Sequence, residues 1–158
     1  MIVLGIDPGL RVSGYGVIML DRGQYKVMDA GTISVKADQP MEKRLNAIYS
    51  DFNSLLDQHA IDIISIEELY AHYNHPRTSV MMAHARGLFL LTAAQRDIKI
   101  QGFTATRVKK SLTGNGRATK EQMQLSVTQQ LGLKTVPQPA DVADALAIAM
   151  CCINNYDR

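Results

Sequence analysis

Apolar residues in the first third of the chain form three short runs that are separated by turn-forming residues. The runs cover residues 2–6, 15–20 and 25–35, and the segments between them contain Asp7-Pro8-Gly9, Ser13-Gly14 and Asp21-Arg22-Gly23. Short apolar runs that end in such residues are typical of β-strands. Because short connections join antiparallel neighbours, we predict a three-stranded antiparallel meander.

The middle of the chain combines a helical pattern with a further strand. After Pro40, apolar side chains recur at helical spacing and form one stripe, made of Leu45, Ile48, Tyr49, Phe52, Leu55 and Leu56. The next apolar run, residues 61–66, predicts a strand that ends at Glu67. A strand–helix–strand crossover of this length places the two strands parallel to each other.

Residues 78–96 predict a second helix whose apolar side chains occupy more than one face. They are Val80, Met81, Met82, Leu88, Phe89, Leu90 and Leu91. A helix with this pattern is buried on two sides. It is either a central core helix or a helix whose outer side, for example at Met82 or Leu90, contacts a second subunit.

The last third predicts one strand and three short helices. The strand covers residues 98–103, and the helices cover residues 106–112, 119–131 and 140–155. Thr119 and Gln122 have the spacing of a capping box at the start of the middle helix. The order of elements predicts an α/β fold, with a mixed five-stranded sheet flanked by helices. A length of 158 residues indicates a single domain over residues 1–158.

The composition is that of an ordinary globular protein. Hydrophobic residues make up 46% and charged residues 20% of the chain, which disfavours a disordered or collagen-like protein. No apolar run approaches the length of a membrane helix, and the N-terminus lacks the pattern of a secretory signal. The two cysteines, Cys151 and Cys152, are adjacent, and we interpret them as reduced thiols. We therefore predict a cytoplasmic protein without a membrane partner.

Basic residues are concentrated in one part of the chain, although the net charge is only +2. Residues 101–134 contain one acidic residue, Glu121, and six basic ones: Arg107, Lys109, Lys110, Arg117, Lys120 and Lys134. Such a block predicts a surface that faces a polyanion, or else a solvated helical face.

Two acidic residues stand at the ends of buried strands. Asp7 follows the first strand and Glu67 follows the fourth. If these strands are parallel neighbours, both side chains emerge at the same carboxyl edge of the sheet, where ligand sites of α/β folds gather. Adjacent strand residues face opposite sides, so either Glu67 or Glu68 could point into such a site.

Two further acids lie on the last predicted helix. Asp141 and Asp144 are three residues apart among alanines and leucines, so they share a helix face. The helix dipole favours Asp141 in a first turn but explains Asp144 less well. Carboxylates without histidine or cysteine partners suit a hard cation such as Mg²⁺. Two such ions could activate water and stabilise the leaving oxygen in phosphodiester hydrolysis.

Five segments together resemble the RuvC family of Holliday-junction resolvases. They are GIDPGLRVSGYGVI at 5–18, IEELY at 66–70, HARG at 84–87, RVKKSLTGNGRATKEQ at 107–122 and ADVADALAIA at 140–149. They occur in family order and span most of the chain. The resemblance implies a ribonuclease-H-like fold, a homodimer, Mg²⁺ dependence with Mn²⁺ as a substitute, and paired symmetric nicks in four-way junction DNA.

The resemblance also implies roles for particular residues. Asp7, Glu67, Asp141 and Asp144 match the catalytic and metal-binding acids, and the match to Ile-Glu favours Glu67 over Glu68. Lys109 and Lys120 match lysines that contact DNA and offset transition-state charge. Tyr70 stands where an aromatic residue could stack on an unpaired base, or else it packs in the core. Further expected DNA contacts are Arg77, Arg107, Lys110 and Arg117, and a branch-migration motor is a further expected partner.

Three other functions fit parts of the pattern. Sugar kinases and actin-like ATPases also open with a strand and turn like Ile6-Asp7-Pro8-Gly9, but they need two such domains. A junction-binding protein without nuclease activity would not need the acids. Another ribonuclease-H-like nuclease could cut branched DNA or RNA–DNA hybrids, but the Asp-x-x-Asp helix and the lysine segment favour the resolvase.

Overall fold

The structure, a computed structural model, describes residues 1–69 and 76–156, with only the backbone for residues 76 and 77. The strands are β1 Ile2–Asp7, β2 Val12–Asp21, β3 Gln24–Ser34, β4 Ile63–Glu67 and β5 Lys99–Phe103. The helices are α1 Met41–Gln58, α2 Pro76–Gln95, α3 Ala105–Thr113, α4 Lys120–Gln130 and α5 Ala140–Asn154.

The strands form one mixed sheet in the order β3-β2-β1-β4-β5. β1 pairs antiparallel with β2, and β2 with β3, as predicted for the meander. β4 pairs parallel with β1 on one side and with β5 on the other. The predicted fold class, a five-stranded mixed sheet flanked by helices, is confirmed.

Helices cover both faces of the sheet, so each strand contributes to two cores. Leu4 and Ile6 of β1 face the core shared with α1 and α2, where Phe52 and Phe89 meet edge to face. Val3 faces the opposite core, which is formed with α3, α4 and α5. Successive side chains of β1 point to opposite faces of the sheet, and both faces are buried. This explains why the sequence of β1 is a continuous apolar run.

The structure corrects one predicted turn and confirms one predicted helix cap. Ser13 and Gly14 are not turn residues, because β2 already begins at Val12 and Gly14 pairs with Asp7. The turn is shorter because Ser13 closes it from within the strand, donating through Oγ to the Gly9 carbonyl at 2.7 Å. The capping box between Thr119 and Gln122 is present as predicted.

The remaining expectations concern the cysteines and the membrane. Cys151 and Cys152 are both free thiols and buried in α5. Burial raises the pKa of both thiols, and that of Cys152 reaches about 11. Within the described residues, no helix is both long enough and apolar enough to cross a membrane.

Candidate nuclease site

The carboxyl ends of two parallel strands bring the first two acids together. Asp7 is the last residue of β1 and Glu67 is the last residue of β4, and these strands are hydrogen-bonded neighbours. The two carboxyl groups form a hydrogen bond with each other. The predicted convergence at one edge of the sheet is therefore present.

Helix α5 supplies the other two acids, and glycines allow it to lie directly on the sheet. A Cβ at Gly14 would lie 1.9 Å from the Asp141 carbonyl oxygen, and one at Gly5 would lie 2.0 Å from the Ala145 carbonyl oxygen. Only residues without a side chain permit this approach. Ser65 of β4 further fixes the helix, donating through Oγ to the Ile148 carbonyl at 3.1 Å.

The electrostatics of the four acids are those of like charges held close together. Burial raises the pKa of Asp7 to about 8, with further contributions from the charges of Glu67, Asp144 and Asp141. Burial also raises the pKa of Glu67 and of Asp144. The acids thus favour either a proton or a cation in their midst.

Two lysines border the acids in one cavity, which we call the acidic cavity. It has a volume of about 240 Å³, and its lining includes Glu67, Asp144, Lys109 and Lys120. Lys120 Nζ lies 3.7 Å from Asp144 Oδ2 but remains 58% exposed. The positive charges of both lysines lower the pKa of Asp144, opposing the effect of its burial. Both lysines therefore stand beside the acids, and the ammonium group of Lys120 remains available to an anion.

Of the two glutamates at the end of β4, the structure turns Glu67 toward the other acids. Glu68 lies on the β5 side, where its Oε1 would be 3.0 Å from a Cβ at Gly102. Its backbone N–H donates to the Phe103 carbonyl at 2.9 Å. Strand alternation by itself left this orientation open, whereas the family resemblance favoured Glu67.

The donor set of the four acids fits a hard divalent cation. It contains only carboxylate oxygens, which Mg²⁺ prefers. Burial, and after it the negative charges of neighbouring acids, raises the pKa of Asp7 and of Asp144, and a cation would relieve that repulsion. Although the four acids lie near one another, no three acidic, histidine or cysteine side chains among the described residues are placed so that they could hold a metal ion by themselves. This suits Mg²⁺, which is usually held by one or two carboxylates together with water and substrate phosphate.

Basic residues of the block 101–134 line two different cavities. Lys109 and Lys120 line the acidic cavity, whereas Arg107 and Lys110 line a different cavity at the end of α5. Arg107 also donates to Asn155 Oδ1 at 3.2 Å. Arg117 is exposed in the α3–α4 connection. The structure divides the block because α3 presents successive residues to different neighbours.

Two predicted DNA contacts lie outside the part of the chain for which side chains are described. Tyr70 falls between β4 and α2, and of Arg77 only the helical backbone is described. Their expected roles stay predictions.

One positioning residue escaped the sequence reasoning. Arg86 on α2 donates through Nε to the backbone carbonyl of Glu67 at 3.2 Å, which ties the end of β4 to that helix. The motif HARG contains it, but the sequence does not show what the arginine contacts. A basic residue in the largely apolar middle of the helix is a signal that could have drawn attention to it.

Comparison with known proteins decides the family. The model of the family "Crossover junction endodeoxyribonuclease RuvC" matches residues 3–152. The chain belongs to the RuvC family. A curated RuvC of Rhodopirellula baltica is 44% identical over 94% of this chain and 84% of its own length. One of Alkaliphilus oremlandii is 41% identical over 96% of this chain and 92% of its own length.

Solved structures of RuvC agree with the sequence comparison. The structure of Thermus thermophilus RuvC has a TM-score of 0.91 at 28% identity, covering 99% of this chain and 96% of that one. The same protein in complex with Holliday junction substrate gives a TM-score of 0.90 at 25% identity, with the same coverage. Yeast mitochondrial Ydc2, at 12% identity and a TM-score of 0.67, shares the fold. The predicted family, and with it the enzyme class of junction nucleases, is confirmed, and RuvC nucleases depend on a metal ion.

Proposed function

We propose that this chain resolves four-way DNA junctions by nicking two strands symmetrically through metal-dependent phosphodiester hydrolysis. The observation that carries the proposal is the meeting of Asp7, Glu67, Asp141 and Asp144 from three separate elements, next to Lys109 and Lys120. Membership of the RuvC family supports it.

We assign Asp7, Glu67, Asp141 and Asp144 to the binding of Mg²⁺, with two ions for each site. Four carboxylates provide enough negative charge for two divalent cations, and Mn²⁺ has the same preference for oxygen ligands. When bound, the metal supplies an activated water and stabilises the leaving oxygen of the cut strand. The helix and strands that carry the acids hold them in place before the substrate arrives.

The two lysines act on the phosphate rather than on the metal. Lys109 and Lys120 stand at the rim of the acids, where their ammonium groups bind a backbone phosphate and offset the charge that develops during cleavage. Lys120 Nζ already lies 3.7 Å from Asp144 Oδ2. A bound phosphate would therefore share this ammonium group with Asp144. We also propose Arg107, Lys110 and Arg117 as contacts to the DNA backbone further from the nick.

The outer face of α2 supports a homodimer. Val80 is 58% and Leu91 is 52% exposed, and Gly87 lies between them with nothing within 4 Å of its Cβ position. An exposed glycine inside a helix lowers the stability of the helix by about 1 kcal/mol relative to alanine. Close approach of a second helix would explain why a residue without a side chain stands at this position. A two-fold dimer would give the two sites that paired nicks need.

The side chains named from sequence for the outer face of α2 need correction. Leu90 is partly buried against the core shared with α1, and Met82 is partly buried beside the turn after β1. Among the side chains of this helix that the structure describes, Val80 and Leu91 are the exposed large apolar ones. Helical periodicity could not show which face was outermost, because all faces carry apolar residues.

A panel of DNA substrates tests the proposed function. The purified protein is incubated with a four-way junction, a linear duplex and an RNA–DNA hybrid, each with and without Mg²⁺. We expect nicks only in the junction and only with metal, at symmetric positions of two opposing strands. Preferred cutting of the hybrid would instead support the other ribonuclease-H-like function. Association with a branch-migration motor and a cytoplasmic location stay predictions.

A further inference from the structure

A second cavity adjoins the acids and contains a buried arginine. This arginine cavity, of about 640 Å³, lies between the turn after β1, the start of α1 and the start of α2. Arg11 and Arg44 supply its positive charge, and Asp141 borders it. Because Asp141 also influences the pKa of Asp7 and Asp144, the cavity begins where the acidic site ends.

Arg44 is buried, and no negatively charged partner stands beside it in the described ranges 1–69 and 76–156. Its side chain is only 8% exposed, and its Nη2 donates to the Leu10 carbonyl at 2.7 Å. Among the described residues, its Nε has no hydrogen-bond partner, and no carboxylate forms an ion pair with it. A guanidinium is always charged, and a buried charge without a counter-ion is costly. Such a group indicates a site for an anion that arrives from outside.

Arg11 adds a second cation at the mouth of the same cavity. It is exposed, and no ion pair involves it in the described part of the chain. With Asp141 as the acidic residue of the lining, the cavity keeps a net positive charge. Guanidinium groups bind phosphate oxygens through paired hydrogen bonds, so the charge suits a phosphate.

The rest of the lining suits the other parts of a nucleotide. Leu10, Met81 and Met82 form an apolar wall, and methionine side chains adapt to irregular ligands. The volume of about 640 Å³ lies within the range of ordinary ligand sites. A DNA strand that crosses the acids from the lysine side would enter this cavity with its next nucleotide.

We propose that the arginine cavity binds a nucleotide of the junction strand beside the scissile phosphate, with Arg11 and Arg44 holding its backbone phosphate. The proposal rests on the proposed junction-cleaving function and adds to it a binding site. Arg44 reaches this phosphate from beneath, and Arg11 closes over it from the solvent side. The strand is thereby held on both sides of the nick, by lysines on one side and arginines on the other.

The test is a scan in which one phosphate at a time near the nick is replaced by an uncharged methylphosphonate. Junction binding is measured without divalent metal, so that no strand is cut. For the wild type, we expect one flanking position to weaken binding about 10-fold to 100-fold. In the Arg11→Gln and Arg44→Gln variants the partner of that phosphate is already missing. Replacing the phosphate should therefore reduce their junction affinity little or not at all. Each should also lower the log–log salt slope of binding by about one.

Lys43→Gln is the matched control, since it removes the same charge from an exposed position next to Arg44 on α1. It should retain the wild-type scan. Thermal unfolding shows whether Arg44→Gln folds, and the exposed Arg11 provides a variant that does not depend on that result. Because the scan is positional, it separates a strand phosphate from adventitious binding of free phosphate.

The proposal is overturned if, at every position, replacing the phosphate reduces the junction affinity of the arginine variants as much as that of the wild type. In that case, a wild type that still nicks the junction leaves the proposed function intact. A wild type that neither binds nor nicks the junction overturns both.

Discussion

The acidic side chains of the site are held where their ionised forms are unfavourable. Asp7, Glu67 and Asp144 all have raised pKa values, because burial and mutual repulsion disfavour their ionised forms. Acidic groups with shifted pKa values are typical of functional sites, where the arrangement that catalysis needs lowers the stability of the folded protein. Replacing an acid by its amide should therefore harm cleavage without harming the fold.

We expect Asp7→Asn, Glu67→Gln, Asp141→Asn and Asp144→Asn each to reduce cleavage about 10²-fold to 10⁴-fold. Junction binding should be kept or improved, because a negative charge near phosphate is removed. Single-turnover nicking and equilibrium binding measure the two effects separately. Glu68→Gln is the control, and a larger loss there than in Glu67→Gln would contradict the orientation seen in β4.

The pH dependence of stability follows from the raised pKa of Asp7. The folded protein binds this proton up to about pH 8, whereas the ordinary value is 3.8, so the folded state holds more protons in between. The metal-free protein should therefore lose stability as pH rises from about 4 through about 8. Thermal unfolding in a chelator measures this loss. Asp7→Asn should flatten the curve, and an unchanged curve would show that Asp7 ionises normally.

The lysines should influence the rate more than the affinity. Lys109→Ala and Lys120→Ala remove charges that stand beside the acids, so single-turnover cleavage should slow even when all junction is bound. The salt slope of binding should fall by only about one contact for each lysine. Lys110→Ala, which removes a charge from another cavity, should leave cleavage at saturation unchanged. Normal cleavage by the first two variants would mean that Lys109 and Lys120 only contact the DNA backbone and do not contribute to the rate.

Among the elements, α5 determines whether the site exists at all. The helix carries Asp141 and Asp144, and it reaches Asp7 only because Gly5 and Gly14 have no side chains. Backbone atoms stand where a Cβ would lie, and backbone cannot move aside as a flexible side chain does. The glycines at the start of the chain are therefore part of the site although they carry no chemistry.

Gly14→Ala should displace the start of α5 and reduce cleavage about 10²-fold, as small misplacements of catalytic groups do. The added methyl group would meet the Asp141 carbonyl. Gly16→Ala is the comparison, because the nearest atoms to its Cβ belong to the Leu146 side chain, which can shift. Its activity should fall less, with a stability loss of about 1–3 kcal/mol. Equal activity losses would mean that the position of α5 does not limit cleavage.

For the whole molecule, the described part of one chain brings together one set of four acids, whereas two symmetric nicks need two sets. An isologous contact through the exposed face of α2 would repeat the site with the two-fold symmetry of the junction. Val80 and Leu91, two large apolar residues exposed on α2, would then be buried.

Leu91→Lys should give a folded monomer that no longer makes coordinated nicks, because a charge would be placed in the contact. Sedimentation at micromolar concentration measures the association, and a junction in a circular plasmid measures whether both nicks occur in one encounter. Leu125→Lys on α4 is the control, since Leu125 is 54% exposed on another helix. A wild-type monomer that makes paired nicks would contradict the dimer.

Much of the fold could be predicted from sequence because it depends on local patterns. Strand and helix positions follow from apolar periodicity, and the parallel pairing of β1 with β4 follows from the length of the crossover between them. The ends of strands are harder to place. Ser13 and Gly14 have the composition of a turn, but the antiparallel partner and the contact with α5 draw them into β2.

What the sequence determined by itself is the position of the acids along the chain and the family to which it belongs. Asp7 and Glu67 end apolar runs, and the hand and length of the crossover then place them side by side. Asp141 and Asp144 share a face because helical geometry makes residues three apart neighbours. These inferences need no knowledge of distant contacts.

Only the tertiary structure decided which way individual side chains point. It turned Glu67 rather than Glu68 toward the acids and separated Lys109 from Lys110. It also buried Arg44 beside the turn after β1. The physical reason is that orientation and burial depend on packing against elements far away in sequence, and the apolar pattern of a single element does not contain that information.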